Sequence, residues 1–383
     1  MNVLMISLDS TLLKDRETAV EDSQDRHILY GKYVSQLFIV VRAGRGNKPR
    51  RLSDNVTVYP AAFGSLWFVW DAYQITKRIV RQSKIDVITA QDPLLTGMAG
   101  YLIKRRYNIP LNVQLHGNYL NNIVWLKQAK INHLLNMVGN YIVKKADSVR
   151  VVAKNIGERV ALKLNIPAEK FITLPVPTDI GGFINSSSNK RLEEEIAEFE
   201  NVVLFVGRLS KEKNVEALLV AAKDVLLRYP RVLFIVVGDG PMREDLQELA
   251  RRLRIEENTK FEGLVSYKEI PGYYHLCDVL VLPSKHEGWG RVVVEGLACG
   301  KAVIVSDVCG VAEFVTEQEL GFTFPPDSQH ILADRIIQLL GNPEMREEMG
   351  ARGREYVRET MGIEKRAPEF ADLYQKTVEL SKK

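Results

Sequence analysis

The sequence predicts an α/β protein built from two doubly wound, Rossmann-like domains. Three observations carry this expectation. Short apolar, β-rich runs alternate with segments of helical length, which is the pattern of a parallel sheet wrapped in helices. The alternation occurs twice, and GGFINSSSNKRLEEEIAEFE at 181–200 separates the two series. At roughly 150 residues per domain, the 383 residues suffice for two domains.

In the first series the apolar runs predict strands at 3–7, 37–41, 56–59, 85–89, 111–115 and 148–152. Helices are expected at 66–82, 94–106, 122–145 and 155–164. The Gly-Gly pair and Ser/Asn cluster that follow then break the pattern, which marks 181–200 as an interdomain linker. The second series predicts strands at 202–206, 232–237, 259–262, 279–282 and 302–305, with helices at 214–228, 241–254, 290–299 and 328–340. After Asn342 the pattern stays helical, so the tail is expected to pack on the existing domains. The expected division is a domain at 1–180, the linker, a second domain at 201–357 and a helix at 358–383. Such domains face one another across a cleft, with ligands at the carboxyl ends of the strands.

Composition narrows the class. With 46% apolar and 26% charged residues, and 26 Gly and 15 Pro in no repeat, disorder and collagen are excluded. The longest apolar stretch, AAFGSLWFVW at 61–70, falls short of the roughly 20 residues that span a bilayer. The opening MNVLMISLDSTLL lacks a basic region and a small-residue cleavage site, so it reads as a core strand and the protein is expected in the cytoplasm. Cys277, Cys299 and Cys309 have no CxxC spacing and read as small buried apolar residues. The net charge of +4 hides an asymmetry. Residues 1–183 hold 25 Lys+Arg against 14 Asp+Glu, and the remainder holds 27 against 34.

Three constellations carry candidate chemistry. The first is Glu287-Gly-Trp-Gly-Arg-Val-Val-Val-Glu295, between the strand VLVLPS and a helix. Eight helical steps would leave the carboxylates about 80° apart, so Glu287 belongs to the loop and Glu295 lies one turn inside the helix. Gly288 and Gly290 allow close backbone approach, and the free N–H groups of the helix terminus suit a phosphate between the two carboxylates. A capped helix with a solvated Glu at each end is the plainer alternative. The second is Gly207-Arg208-Leu-Ser-Lys-Glu-Lys213, directly after VVLFV, where two cations are placed to neutralise a diphosphate. A solvated turn has the same composition. The third is His116 in Leu-His-Gly-Asn after LNVQL, either a ligand contact or a satisfied structural histidine.

VGRLSKEKN, VVGDGP, FEGLV, PSKHEGWGRVVVEGLACGKAVIVSD and CGVAEFV together resemble the donor-binding half of the retaining family 4 glycosyltransferases, which have the GT-B fold. LNVQLHG, KKADSVRVVA and LPVPTD resemble the first half of the same family less specifically. The resemblance implies that Arg208 and Lys213 bind the donor diphosphate and that Glu295 holds the ribose hydroxyls. It further implies that Glu287, with the backbone of Gly288, Trp289 and Gly290 after it, contacts the donor sugar. Gly207 and Val265 would complete the donor site, Val265 at the nucleobase, while His116 would face the reacting sugar from the other domain. Breaking a glycosyl–phosphate bond builds negative charge on the departing diphosphate, so leaving-group stabilisation is the main requirement. No Asp-x-Asp occurs in the chain, so the cations and the helix terminus are expected to replace a metal, with no cofactor. Two departures from the family stand out. The loop Ser7-Leu-Asp-Ser-Thr-Leu-Leu-Lys14 has no glycine, leaving the polar stretch at 21–27 either to contact acceptor or to be a surface loop. Arg291 occupies a commonly apolar position, as a third cation or a solvent-facing residue.

The implied partners are a UDP- or GDP-sugar and a glycan or lipid-linked acceptor in polysaccharide or glycoconjugate synthesis. Basic residues at 76–84, 104–106 and 144–145, with Trp67, Phe68 and Trp70 nearby, match a peripheral contact at the inner membrane face as well as solvated helix faces. Nucleic acid is not expected, since no helix-turn-helix, RRM or zinc-finger pattern accompanies the charge. The alternatives are a phosphorylase or sugar-phosphate-accepting synthase of the same fold, or a binding protein without turnover. Gly238-x-Gly240 is only a fragment of a dinucleotide fingerprint, because position 243 is Arg.

Overall fold

The computed structural model describes residues 1–14, 23–44, 46–61, 67–117, 119–187 and 190–382. The chain divides into two compact units: Met1–Pro175 with Glu364–Lys383, and Val176–Ile363.

The first unit holds strands β1 (Asn2–Ser7), β2 (Gln36–Arg42), β3 (Arg50–Ser53), β4 (Val56–Ala61), β5 (Val87–Ala90), β6 (Leu111–Leu115), β7 (Ser148–Val151) and β8 (Phe171–Thr173). Its helices are α1 (Ser23–Gly31), α2 (Phe68–Gln82), α3 (Leu95–Tyr107), α4 (Ile123–Gln128), α5 (Ile131–Lys145) and α6 (Lys154–Leu164). The sheet order is β3-β4-β2-β1-β5-β6-β7-β8. Only the β3–β4 pair is antiparallel. From β1 the chain builds outward through β2, then returns to β1's other side with β5, so β1 and β5 flank the point where strand order reverses. Val3, Leu4, Met5 and Ile6 are all buried, which explains why this strand reads as a continuous apolar run rather than an alternating one.

The second unit repeats the plan. It holds α7 (Gly181–Ile184), α8 (Lys190–Glu195), β9 (Asn201–Val206), α9 (Val215–Arg228), β10 (Val232–Val237), α10 (Arg243–Leu253) and β11 (Thr259–Gly263). There follow α11 (Ile270–Leu276), β12 (Val279–Leu282), α12 (Arg291–Ala298), β13 (Ala302–Ser306), α13 (Ala312–Glu317), β14 (Gly321–Phe324), α14 (Gln329–Leu340) and α15 (Pro343–Thr360). The order β11-β10-β9-β12-β13-β14 reverses between β9 and β12, which pair in parallel. Loops leaving the carboxyl ends of such a strand pair are where doubly wound sheets hold ligands.

The final helix, α16 (Ile363–Leu380), returns from Glu364 onward to the first unit. Its Ala367, Phe370, Leu373 and Tyr374 join Val3, Met5, Leu37, Ile39 and Val87 in one core. Phe370 stacks on Tyr30 with ring centroids 4.4 Å apart. The segment at 181–200, expected as a linker, lies within the second unit instead. Phe183 on α7 is buried, meets Tyr274 and Tyr267 edge-on at 5.8 and 5.6 Å, and its carbonyl accepts from Cys299 Sγ at 3.6 Å. The helix expected at 122–145 is broken into α4 and α5, and Asn132 Nδ2 donates to the Trp125 carbonyl at 2.7 Å across the break. Of the polar stretch at 21–27, Glu21 and Asp22 lie outside the described residues. The described part is helical rather than a loop: Ser23, Gln24 and His27 are buried on α1, while Asp25 is exposed. The three cysteines are free and buried, as their spacing suggested, and no helix among the described residues is long and apolar enough to cross a membrane.

Candidate active site

A polar cluster forms where β9 and β12 deliver their loops. After β9 the backbone continues against the loop of β10: Gly207 N donates to the Val237 carbonyl at 3.0 Å, and Leu209 N to the Asp239 carbonyl at 3.0 Å. That approach leaves no room for side chains at Gly238 and Gly240. A Cβ at Gly240 would stand 2.4 Å from the Leu209 carbonyl oxygen, and one at Gly238, where φ is 131°, would stand 1.9 Å from that of Gly207. The Gly-Asp-Gly run therefore has a packing role, which accounts for its being only a fragment of a dinucleotide motif.

Beyond Leu209 a short 3₁₀ turn, Lys211–Lys213, carries Lys213 to the β12 side, where Nζ donates to Glu287 Oε2. Ser284 Oγ lies 3.5 Å from the same oxygen. Both side chains of the pair are largely buried, so their mutual attraction is screened less than that of a surface pair. Asn214 locks the turn in place. It has φ 53°, is buried, and donates from Nδ2 to the carbonyls of Pro283 and Pro326, both at 3.0 Å. Sequence reasoning missed Asn214; a left-handed Asn directly before an apolar helix is the signal that points to it. Arg208, next to Gly207, is exposed, and its guanidinium forms no ion pair with a described residue.

Helix α12 opens at Gly290, whose φ of 98° only glycine adopts without strain. Glu287 lies in the preceding loop and Glu295 one turn inside the helix. The Glu295 carboxylate is buried: Arg291 Nε is 3.0 Å from Oε1, and the Tyr274 hydroxyl donates to Oε2 at 2.9 Å. Burial and then the neighbouring Glu295 charge push the Tyr274 phenol well above its usual value. Arg291 is thus neither a free third cation nor a solvent-facing residue. It turns onto Glu295, donates from Nη2 to the Tyr267 hydroxyl at 2.6 Å, and lies 5.3 Å over that ring. This contact ties α12 to the loop after β11, where Val265 is half-buried.

The side chain of Trp289 packs inward. Its ring is buried against Phe314, with centroids 5.6 Å apart, and its carbonyl accepts from Val311 N at 3.1 Å. The neighbouring Gly288 keeps only its backbone to offer.

His116 belongs to the first unit, just past β6, with Nε2 2.9 Å from Gln91 Oε1 at the end of β5. The ring is exposed yet crowded. Removal from bulk water, then repulsion from Arg150 and Arg26, hold the imidazole below its ordinary value and therefore neutral. At the β1 loop, a short turn at Ser10–Leu13 is capped by Asp9, whose Oδ1 accepts from Thr11 N at 3.0 Å and whose Oδ2 accepts from Ser23 Oγ at 2.5 Å. Burial pushes the Asp9 carboxyl up, but hydrogen bonds from Ser23 and Thr11, aided by His27, outweigh it and lower the net value. Side-chain caps thus hold the turn in this glycine-free loop.

Two parallel-sheet Rossmann-like units with polar clusters at reversal points define the GT-B class of architecture. Comparison with known proteins agrees. The profile of Glycosyl transferases group 1 matches residues 186–356, and that of Glycosyltransferase Family 4 matches residues 36–181. An uncharacterised glycosyltransferase of Methanocaldococcus jannaschii is 27% identical over 81% of this chain and 83% of its own. The alpha-monoglucosyldiacylglycerol synthase of Streptococcus pneumoniae is 27% identical over 75% of this chain and 66% of its own. In structure, the chain superposes on a sucrose-phosphate synthase of Thermosynechococcus elongatus with a TM-score of 0.79 and 20% identity, covering 98% and 99% of the two chains. It superposes on Anabaena Alr3699/HepE in complex with UDP with a TM-score of 0.76 and 18% identity, covering 98% and 100%. The chain belongs to the group 1, family 4 glycosyltransferases and is a glycosyl-transferring enzyme.

Proposed function

We propose that this glycosyltransferase takes a UDP- or GDP-sugar and moves the sugar, with retention of configuration and without a metal, onto a glycan or lipid-linked acceptor. The observation that carries the reading is the pairing of Lys213 with Glu287, five residues after the exposed Arg208, at the strand-order reversal of the second unit. In the transfer the acceptor oxygen bonds to the anomeric carbon as the bond from that carbon to the diphosphate breaks, and the acceptor proton passes to the departing phosphate. Charge gathers on the diphosphate, and Arg208 and Lys213 are the cations in reach of that loop to balance it. Glu287 orients Lys213 and offers its second oxygen to a sugar hydroxyl. Glu295 takes the ribose hydroxyls by sharing its carboxylate with Arg291, while the neutral His116 serves as a hydrogen-bonding group toward the sugar. The UDP complex of Alr3699/HepE supports a nucleotide-linked donor, and the diacylglycerol named for the pneumococcal relative supports a lipid acceptor.

The test is donor turnover in Arg208→Ala and Lys213→Ala. Each is expected to fall about a hundredfold or more, the scale of a lost preorganised charge contact. Chelator is expected to leave the wild-type rate unchanged. Near-normal rates in both variants, or chelator inhibition reversed by a divalent cation, overturn the reading.

A further inference from the structure

One face of the first unit carries apolar and cationic groups that glycosyl transfer does not use. On α5, Ile131, Leu134, Met137, Val138 and Tyr141 recur at three- and four-residue intervals and so form one stripe. The stripe is not covered: Leu134 is 55% exposed and Met137 69%. Met98, Tyr101 and Leu102 form the matching stripe on α3, and between the helices lies an apolar groove of about 460 Å³. The Tyr101 and Tyr141 hydroxyls meet at 2.8 Å.

The segment that forms this groove carries charge of a single sign. Residues 93–146 contain seven Lys or Arg and no Asp or Glu. The cations stand at the helix ends: Lys104, Arg105 and Arg106 close α3, and Lys144 and Lys145 close α5. All but Lys104, which is paired with Asp147 at 2.5 Å, are exposed, as are Lys127 and Lys130 before α5. An uncovered apolar face of this kind marks an interaction site. A second copy of the chain would bring two cationic rims together, and a nucleic acid would satisfy the cations while leaving Leu134 and Met137 in water. An anionic bilayer satisfies both, with acyl chains for the groove and phosphates for the rim.

We propose that the α3–α5 face docks on an anionic lipid bilayer, with Leu134 and Met137 entering the acyl boundary and Arg105, Arg106, Lys144 and Lys145 meeting the headgroup phosphates. This deepens the reading of a membrane-side enzyme and moves its contact away from the aromatic trio near 67–70. Phe68 there is fully buried, leaving only Trp67 and Trp70 exposed at the start of α2.

The experiment is flotation of the full chain with vesicles of phosphatidylcholine alone and of phosphatidylcholine mixed with phosphatidylglycerol. The protein is expected to float with the anionic vesicles only, and less as salt rises. Arg105→Ala with Lys144→Ala is expected to weaken partition about thirtyfold, and Leu134→Gln with Met137→Gln about tenfold or more. These residues are exposed, and an unchanged circular dichroism melt verifies folding. Turnover on a water-soluble acceptor, measured on the same preparations, is expected to stay at the wild-type rate, so lost flotation with kept turnover is distinct from failure of the transferase reading. Equal flotation with neutral vesicles, unchanged flotation of both double variants, or a wild-type dimer that Met137→Gln dissolves overturns the proposal.

Discussion

Glu287 and Glu295 show what local arithmetic can and cannot read. Their eight-residue spacing places one in the loop and the other in the helix, because helix geometry depends only on neighbours in sequence. The contacts around Glu295 are another matter: Arg291 is one turn away, but Tyr274, which donates to Glu295, and Tyr267, which receives Arg291, come from an earlier stretch of the chain, and no periodicity announces them. The burial of the Trp289 ring is hidden for the same reason, since the ring it packs against, Phe314, belongs to a later helix. At His116 a pH effect follows. The folded imidazole binds a proton less readily than the unfolded one, so its contribution to stability is full above the ordinary histidine value of about 6.5 and is lost as pH falls below it. Thermal melts at descending pH are expected to decline less steeply in His116→Gln than in the wild type. Parallel curves would show that the imidazole titrates normally.

Among elements, the central strands β1, β2, β9, β10 and β12 were legible because their interior positions are apolar and buried without alternation. The edges were not. β3 is Arg-rich and half-exposed, and β8 has three residues, so neither carries an apolar run. β14 begins at Gly321, where a Cβ would stand 1.9 Å from the Val303 carbonyl oxygen, a packing requirement that reads in sequence as a turn. The start of α9 is the element on which the candidate site depends most. Asn214 there supplies two carbonyls, one beside β12 and one beyond β14, with their buried hydrogen bonds. Asn214→Ala leaves both carbonyls unpaired and places alanine in a left-handed conformation. The expected loss is about 2–4 kcal/mol, read by urea denaturation, with donor turnover reduced as Lys213 loses its support. A loss under about 0.5 kcal/mol would assign Asn214 a solvent-replaceable role.

Across the whole molecule, the basic excess of the first half and the acidic excess of the second are now attached to separate compact units. The boundary at 181–200 was misread because its Ser/Asn cluster looks like a tether, whereas Phe183 anchors it to the second unit. The tail was expected to pack back, but which core it completes depends on partners far away in sequence. Phe370→Ala opens that core against Tyr30 and is expected to lower the stability of the first unit by about 3–5 kcal/mol, seen as a downward shift of its calorimetric transition with that of the second unit unmoved. A single transition moving as a whole would mean that the units melt together. Since α16 follows the second unit in the chain, a ribosome releases the missing wall of the first core only after the second unit has been made. At elongation speeds of about 5–20 residues per second the nascent amino-terminal sheet waits roughly ten to forty seconds for it, so the downstream unit is the first to complete its fold.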